Sequence, residues 1–331
     1  MYTDNDIIIK EYNFLLRGGH PPKGLDCYFD WLLTHLLPQF IEIDKKALYY
    51  QSKNNLEMRL IYFVSPIIVM LVAIQGIFFP DKTWLVWGEV IGLIALLFVY
   101  RKGSKEKYLE NWLENRFLAE KLRCSIFTGL HIKTKSTNES DNDDLALLDK
   151  KHSNLLLPEP PKVDWHKNFS SIRDFVIDNW IYAQLNYHKK VAEKAKNNLK
   201  KMEIAGFIIV IATLSFAVLH SLGVGHHTSF IHINAIDDRT NFTIGNLLTI
   251  LALVLPAISA SLAAIESAKE YRKIELRSGA IANHLQIIIE DAKQIKSNND
   301  LLILITNLEK LFMKEHEEWF SIVAYNRAKI G

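Results

Sequence analysis

Four long apolar segments constrain this chain more than any other feature of its sequence. They cover residues 60–79, 84–100, 204–222 and 244–265. A helix needs roughly 20 predominantly apolar residues to cross the hydrocarbon core of a bilayer. Three of the segments contain no Asp, Glu, Lys or Arg, and the second contains only Glu89. Helices buried in a soluble core rarely stay uncharged for so long, so the pattern predicts four transmembrane helices.

The connections between these segments predict an all-α polytopic membrane fold made of two transmembrane hairpins. Residues 80–83 join the first pair, and the Pro80-Asp81 dipeptide suits a tight turn. Residues 223–243 form a longer loop between the second pair. If each segment crosses once, both connections face the same side of the membrane, and the rest of the chain faces the other.

Lys and Arg residues surround the four segment ends that face away from these connections. Nineteen lie within about 15 residues of those ends, whereas the two connections contain only Lys82 and Arg239. The nineteen are Lys45, Lys46, Lys53, Arg59, Arg101, Lys102, Lys105, Lys107, Arg116, Lys189, Lys190, Lys194, Lys196, Lys200, Lys201, Lys269, Arg272, Lys273 and Arg277. Because short basic flanks stay cytosolic, we expect both termini and the middle of the chain in the cytosol. The same charges would attract anionic lipid headgroups.

The remaining sequence divides the chain into five regions. Residues 1–57 form a cytosolic arm with an amphipathic helix, and residues 58–131 form the first hairpin with a helix that continues its second span. The polar, low-complexity residues 132–163 are expected to be a flexible linker. Residues 164–297 form the second hairpin with flanking cytosolic helices, and residues 298–331 a C-terminal amphipathic helix. The two halves therefore repeat one plan of helix, span, turn, span and basic helix.

The sequence contains no established catalytic motif, so we expect no enzyme and no cofactor. Phosphate-binding glycine loops, zinc-protease motifs, nucleophile elbows and paired CxxC motifs are absent from the sequence. The net charge of +2 also gives no sign of nucleic-acid binding. Cys27 and Cys124 lie far apart in regions placed in the cytosol, where thiols stay reduced.

Four histidines cluster in and beside the second connecting loop, at His220, His226, His227 and His232. Metal binding there is conceivable, because imidazole is a common metal ligand. No acid or cysteine accompanies them at the spacing of a known site, so we favour a solvated polar loop and predict no metal.

Glu89 is the one acidic side chain inside an apolar segment. Ionisable residues within membrane spans are costly, and they tend to face a helix bundle or water. Glu89 also lies only five residues past Trp84, so it is equally compatible with a side chain that reaches the interface or pairs with Lys82. Gln75 is predicted near the same depth and is a natural hydrogen-bond partner.

Small residues recur at helical spacing in the second and fourth segments. They are Gly88, Gly92, Ala257, Ala260 and Ala264. Such positions let helix backbones approach closely within a membrane. We favour packing among the four spans of one chain, and an interface between copies is the alternative.

Residues 112–123 read WLENRFLAEKLR, residues 184–190 read QLNYHKK, and residues 255–278 continue the fourth segment as LPAISASLAAIESAKEYRKIELRS. These stretches resemble the SLATT domains of bacterial membrane proteins. The first is similar to the family's R-x-x-A-E-x-L-R helix, and the other two look like the second hairpin of its four-span members. The resemblance covers about residues 28–292. The positions that carry it include Trp112, Arg116, Glu120, Arg123, Gln184, Tyr187, His188, Glu275 and Arg277.

The resemblance implies an anti-phage effector of the bacterial inner membrane that oligomerises and permeabilises or depolarises the membrane. Members are associated with nucleotide-sensing modules, and this chain contains no recognisable one. A separate cytosolic sensor or defence protein is therefore the expected partner. Gln75, Glu89, Ser259 and Ser261 are the polar span residues expected to line a water path. The alternative is a membrane anchor that recruits a soluble defence enzyme; a transporter fits less well, because paired broken helices are missing from the pattern.

Overall fold

A computed structural model of the 331-residue chain describes residues 4–15, 20–130, 158–222, 224 and 238–328. Within these ranges every regular element is a helix, which confirms the predicted all-α fold. Most of the predicted linker, and the loop containing three of the four clustered histidines, lie outside the described residues.

Ten α-helices, numbered here in chain order, account for most of the described residues. They are α1 (Asp4–Leu15), α2 (Asp26–Trp31), α3 (Leu37–Phe78), α4 (Val86–Glu106), α5 (Tyr108–Thr128), α6 (Trp165–Phe175), α7 (Tyr182–Ser221), α8 (Asp238–Lys269), α9 (Tyr271–Gln294) and α10 (Asn298–Ala328). Two π-helical segments, Leu32–Leu36 and Val176–Ile181, precede α3 and α7. A 3₁₀ turn, Thr83–Leu85, precedes α4.

Four helices of the described ranges are long and apolar enough to cross a membrane, judged by length and composition. The apolar segments lie in α3, α4, α7 and α8. This confirms the predicted number of spans and is consistent with a multi-pass membrane protein. Pro66 and Pro256 lie inside α3 and α8, where each proline removes one backbone hydrogen-bond donor.

The chain forms two compact units. Unit 1 draws on residues 1–52, 108–190 and 278–331, and unit 2 on residues 53–107 and 191–277. All four apolar segments belong to unit 2. The helices α3, α7 and α9 contribute residues to both units, because the division falls within each of them.

Unit 1 has a densely packed aromatic and aliphatic core. The Trp180 indole stacks on Phe127 with ring centroids 4.6 Å apart and planes within 5°. The Phe312 ring also contacts the indole, tilted by 46° with centroids 5.5 Å apart. Phe175 contacts both Phe127 and Phe29 through ring edges and tilted faces. The core therefore joins α2, α5, α6, α10 and the second π-helical segment into one bundle.

Unit 2 has only a small interior. Ala73 of α3 packs with Ile250 and Val254 of α8 in its one described buried cluster. Most large apolar side chains of its helices are exposed, including Phe98 at 67% and Phe207 at 68%. Such surfaces are expected where lipid, and not water, surrounds a helix.

The helix that follows each hairpin is interrupted by one residue, which corrects the prediction of unbroken extensions. Lys107 separates α4 from α5, and Glu270 separates α8 from α9. Both residues adopt left-handed backbone, with φ of 49° and 47°. Each N–H still donates to the carbonyl four residues earlier, so the break keeps this backbone hydrogen bond.

The order of elements repeats in the two halves, in agreement with the repeated plan in the sequence. Each half has a short helix, a π-helical segment, a long helix, a second apolar helix, a left-handed residue and a further helix. The buried positions also repeat. Tyr28, Leu32, Leu36, Leu37 and Ile41 in the first half have the same spacing as Ile172, Val176, Trp180, Ile181 and Leu185 in the second.

Candidate functional site

Unit 1 holds a group of ionisable side chains around the buried Glu120 that we call the ionic cluster: Asp44, Arg116, Glu120, Arg123 and His316. They come from α3, α5 and α10. Burial of charge is costly unless every charge is paired, so such a group marks a position where the fold depends on ionic contacts.

The centre of the cluster is Glu120, which is 3% exposed. Arg116, Glu120 and Arg123 fall on one face of α5 because residues three and four apart on a helix are neighbours. One Glu120 oxygen accepts hydrogen bonds at 2.5 Å from Arg116 and at 2.6 Å from Arg123. The second oxygen lies 2.7 Å from the same Arg123 nitrogen. The carboxylate is therefore held by two guanidinium groups.

Two other helices complete the contacts. Arg116 also donates to Asp44 of α3 at 3.2 Å. The His316 ring of α10 lies 3.5 Å from Glu120, and the Arg123 guanidinium lies 5.3 Å from the centre of the Phe40 ring. These contacts tie α3, α5 and α10 together through charge.

The charge state of Glu120 follows from these contacts. This residue lies well beyond the second apolar segment, in unit 1. Burial alone raises the pKa of its carboxyl, but Arg123, the hydrogen bond from His316 and Arg116 outweigh burial and hold that pKa well below its ordinary value. Burial lowers the pKa of Arg123, and Glu120 with Asp44 raises it above its usual value. Glu120 is thus a permanent carboxylate near neutral pH.

A second pair joins the buried His188 of α7 to Glu315 of α10. His188 is 1% exposed, and its Nε2 lies 3.4 Å from a Glu315 oxygen. Its Nδ1 has no hydrogen-bond partner among the described residues. The Tyr187 and His188 rings form a T-shaped pair with centroids 5.1 Å apart. Burial raises the pKa of the Tyr187 hydroxyl, and the charges of Arg116, Glu120 and Glu315 also affect that pKa, so Tyr187 lies near both groups.

The contacts of Glu120 decide what its carboxyl group can do chemically. A carboxylate held by two arginines is a poor general acid, because its protonated form is strongly disfavoured. The Cys124 thiol is buried and its pKa is raised by burial, so it stays protonated. Among the described residues, no group of three His, Cys, Asp or Glu side chains could hold a metal ion.

The structure brings together part of the residue set that carries the SLATT resemblance. Arg116, Glu120 and Arg123 meet directly, with Tyr187 and His188 close by. Trp112 and Gln184 are half-buried in unit 1, whereas Glu275 and Arg277 belong to unit 2 and are half-exposed.

Sequence reasoning missed three members of this site: Asp44, Glu315 and His316. Asp44 lies on the same helix face as the buried Phe40 and Ile41, so its helical position was a usable signal. Glu315 and His316 lie near the end of the chain, and their pairing with α5 and α7 depends on the tertiary packing of α10. No local pattern indicates that packing.

The polar span residues are partly exposed in unit 2. Gln75, Glu89, Ser259 and Ser261 are all of intermediate exposure, and no hydrogen bond joins Gln75 to Glu89 within the described residues. Ser259 lines an apolar groove of about 480 Å³ between α7 and α8. The other lining residues are Val210, Thr213, Leu214, Ala217, Pro256, Ala260 and Ala263.

The small span residues lie in different environments. A side chain at Gly92 would come within 2.9 Å of Ile68 on α3, and one at Gly88 within 3.9 Å of Leu71, so these glycines face the partner span of their own hairpin. Ala260 is exposed in the groove, and Ala257 and Ala264 are half-exposed on α8. The first hairpin is therefore closely packed at Gly92, whereas the second leaves a groove.

No family model, curated protein or solved structure matches the chain. The likeness to SLATT domains is carried by the residues quoted above alone, and the activity it implies is accordingly a proposal.

Proposed function

We propose that the chain is a membrane effector of bacterial defence that assembles into oligomers and permeabilises or depolarises the inner membrane when a cytosolic partner signals. Both termini and unit 1 lie in the cytosol in this proposal. Its support is the distribution of Lys and Arg, nineteen near the predicted cytosolic ends against two in the connections. The permeabilising activity in this proposal is the one that the resemblance to SLATT domains implies.

The observation that carries the proposal is the ionic cluster on helices shared with the spans. Asp44 of the cluster lies on α3, and His188 of the neighbouring His188–Glu315 pair lies on α7. Both helices continue as apolar segments. A partner that displaced one charge of the cluster would leave another buried charge unpaired, at a cost of several kcal/mol. Relief of that cost favours a second arrangement of these helices, which is what a switch requires.

Permeation needs more than one copy in this proposal. The described buried contact between the first and fourth spans is apolar, formed by Ala73, Ile250 and Val254, so it offers no polar lining for water. Gln75, Glu89, Ser259 and Ser261 are partly exposed on the chain's own surface. Several copies that faced these residues together would line a water path.

The test is expression of the chain in bacteria, alone and with its genomic neighbours, while a voltage-sensitive dye reports membrane potential. Wild-type chain with its trigger is expected to depolarise the cells. Glu89→Leu should abolish depolarisation at unchanged expression, whereas Glu89→Gln, which stays polar, should retain it. Full depolarisation by Glu89→Leu removes Glu89 from the path.

A membrane scaffold for a soluble defence enzyme is the second candidate. Unit 1 has a core of its own and exposes Ile287 and Ile303 on α9 and α10, at 62% and 51%. Apolar side chains on a water-facing surface fit contact with another protein. Unchanged membrane potential, together with co-purification of a soluble neighbour that Ile287→Asp abolishes, favours the scaffold.

A further inference from the structure

Two cations of unit 2 lie beside each other at the polar ends of the first and fourth spans. Arg59 directly precedes the apolar segment of α3, and Lys269 is the last residue of α8, just past the fourth segment. Burial and the positive charge of Arg59 both lower the pKa of the Lys269 ammonium, and the second cause is the effect of a like charge nearby.

Lys269 is held in this position by a neutral group. Its Nζ donates a 2.6 Å hydrogen bond to Asn55 on α3. Asn55 and Arg59 are four residues apart, so they share one face of α3. The bond to Asn55 therefore fixes Lys269 over the same face from which Arg59 projects.

Carboxylates do not neutralise this pair. The nearby Glu270 forms its ion pair with Lys273 at 2.6 Å. Glu266 lies one turn before Lys269, yet no ion pair joins it to Lys269 or Arg59 among the described residues. Burial lowers the pKa of the Lys269 ammonium, and Arg59 lowers it further, with no compensating acid. The two donors are thus available to an external anion.

We propose that Asn55, Arg59 and Lys269 form a binding site for the phosphate of an anionic membrane lipid at the seam between α3 and α8. The site lies at the ends of two apolar segments, which is the depth at which headgroup phosphates sit. A phosphate oxyanion accepts hydrogen bonds from a guanidinium and an ammonium at once. Asn55 acts as the positioning residue. This inference rests on the proposed membrane placement and not on the effector activity.

The test compares unfolding temperatures of the full chain in two kinds of lipid nanodisc, one of phosphatidylcholine and one containing phosphatidylglycerol. The wild type should be more stable in the anionic lipid. Arg59→Gln should lose about half of that gain, because one of two cations remains. In phosphatidylcholine, Arg59→Gln should be at least as stable as the wild type, since the variant removes a repulsion. A purely structural arginine would not produce this reversal between lipids.

Arg101→Gln is the matched control. Arg101 directly follows the second apolar segment and is exposed at the predicted same membrane face, so it loses the same charge without disturbing the pair. It should keep most of the anionic-lipid gain. Lys269→Arg preserves the charge and should also keep it.

Three outcomes overturn the proposal. Equal losses in Arg59→Gln and Arg101→Gln would mean a diffuse surface charge effect. An anionic-lipid gain in stability that is unchanged in Arg59→Gln would show that Arg59 does not bind the lipid phosphate. Stabilisation by glycerol 3-phosphate in phosphatidylcholine nanodiscs, lost in Arg59→Gln, would assign the site to a soluble phosphate. Failure of the wild type to enter nanodiscs would instead contradict the membrane placement under the proposed function.

Discussion

The two units of this chain differ in which kinds of side chain they bury and which they expose. In unit 1, Trp180 and Phe127 are stacked inside a core, whereas in unit 2 Phe98 and Phe207 project outward. Unit 1 also encloses paired charges around Glu120, while the described cluster inside unit 2 is small and apolar. Apolar side chains of unit 1 are thus removed from water by a protein core. Those of unit 2 can be removed from water by lipid.

The largest contrast is expected from removing one aromatic ring in each unit. Trp180→Ala should destabilise the chain by about 3–5 kcal/mol, because it opens a cavity against Phe127 and Phe312. Phe207→Ala should change stability by less than about 0.5 kcal/mol, since Phe207 has few protein neighbours to lose. Denaturant unfolding in detergent measures both. Similar losses of stability in the two variants would contradict the difference in packing between the two units.

The ionic cluster should show a nearly comparable effect. Glu120→Gln keeps the shape of the side chain but leaves Arg116 and Arg123 without their counter-charge, so a loss of about 3 kcal/mol is expected. Leu118→Ala in the same helix is a control for burial without charge. A Glu120→Gln variant as stable as the wild type would mean that the arginines are solvated.

The pH dependence of stability tests the same charge. The folded-state pKa of Glu120 lies below its ordinary value of 4.5. Its stabilisation is therefore complete above about pH 4.5 and is lost as the pH falls from there toward the folded-state value. The free energy of unfolding, measured between pH 7 and 3, should fall more steeply below about pH 4.5 in the wild type. In Glu120→Gln it should depend less on pH over the same range. Equal slopes would exclude Glu120 as a source of acid sensitivity.

Close packing in unit 2 is predicted only at particular points. Gly92→Ala should cost about 1–2 kcal/mol, because the added carbon meets the buried Ile68. Gly76→Ala has open space and should stabilise its helix by about 0.5–1 kcal/mol. Unfolding in detergent should give changes in stability of opposite sign for the two variants. Two gains would indicate that the first hairpin is not packed at Gly92.

The smallest effect is expected at the breaks between helices. Lys107 and Glu270 have left-handed backbone that favours glycine. Lys107→Gly and Glu270→Gly should each stabilise the chain by up to about 1 kcal/mol, whereas Lys102→Gly inside α4 should destabilise it by a similar amount. Destabilisation by Lys107→Gly would show that the residue is helical in solution.

The spans could be predicted from sequence because apolarity and length act locally, without knowledge of partners. The breaks could not, since Lys107 and Glu270 are charged residues that favour helix and neither is itself a Gly or Pro. Part of the ionic cluster could be predicted from the sequence. Arg116, Glu120 and Arg123 share a face by spacing, but the contact with His316 depends on how α10 packs.

The central claim, a four-span membrane protein with unit 1 in the cytosol, is tested most directly by cysteine labelling in sealed spheroplasts. Cys27 is exposed in unit 1, and Asp81→Cys places a thiol in the first connecting turn. With a membrane-impermeant maleimide, Asp81→Cys in a Cys27→Ser background should be labelled at once, and native Cys27 only after the membrane is opened. Labelling of Cys27 in sealed spheroplasts, or release of the chain by alkaline carbonate, would contradict the account.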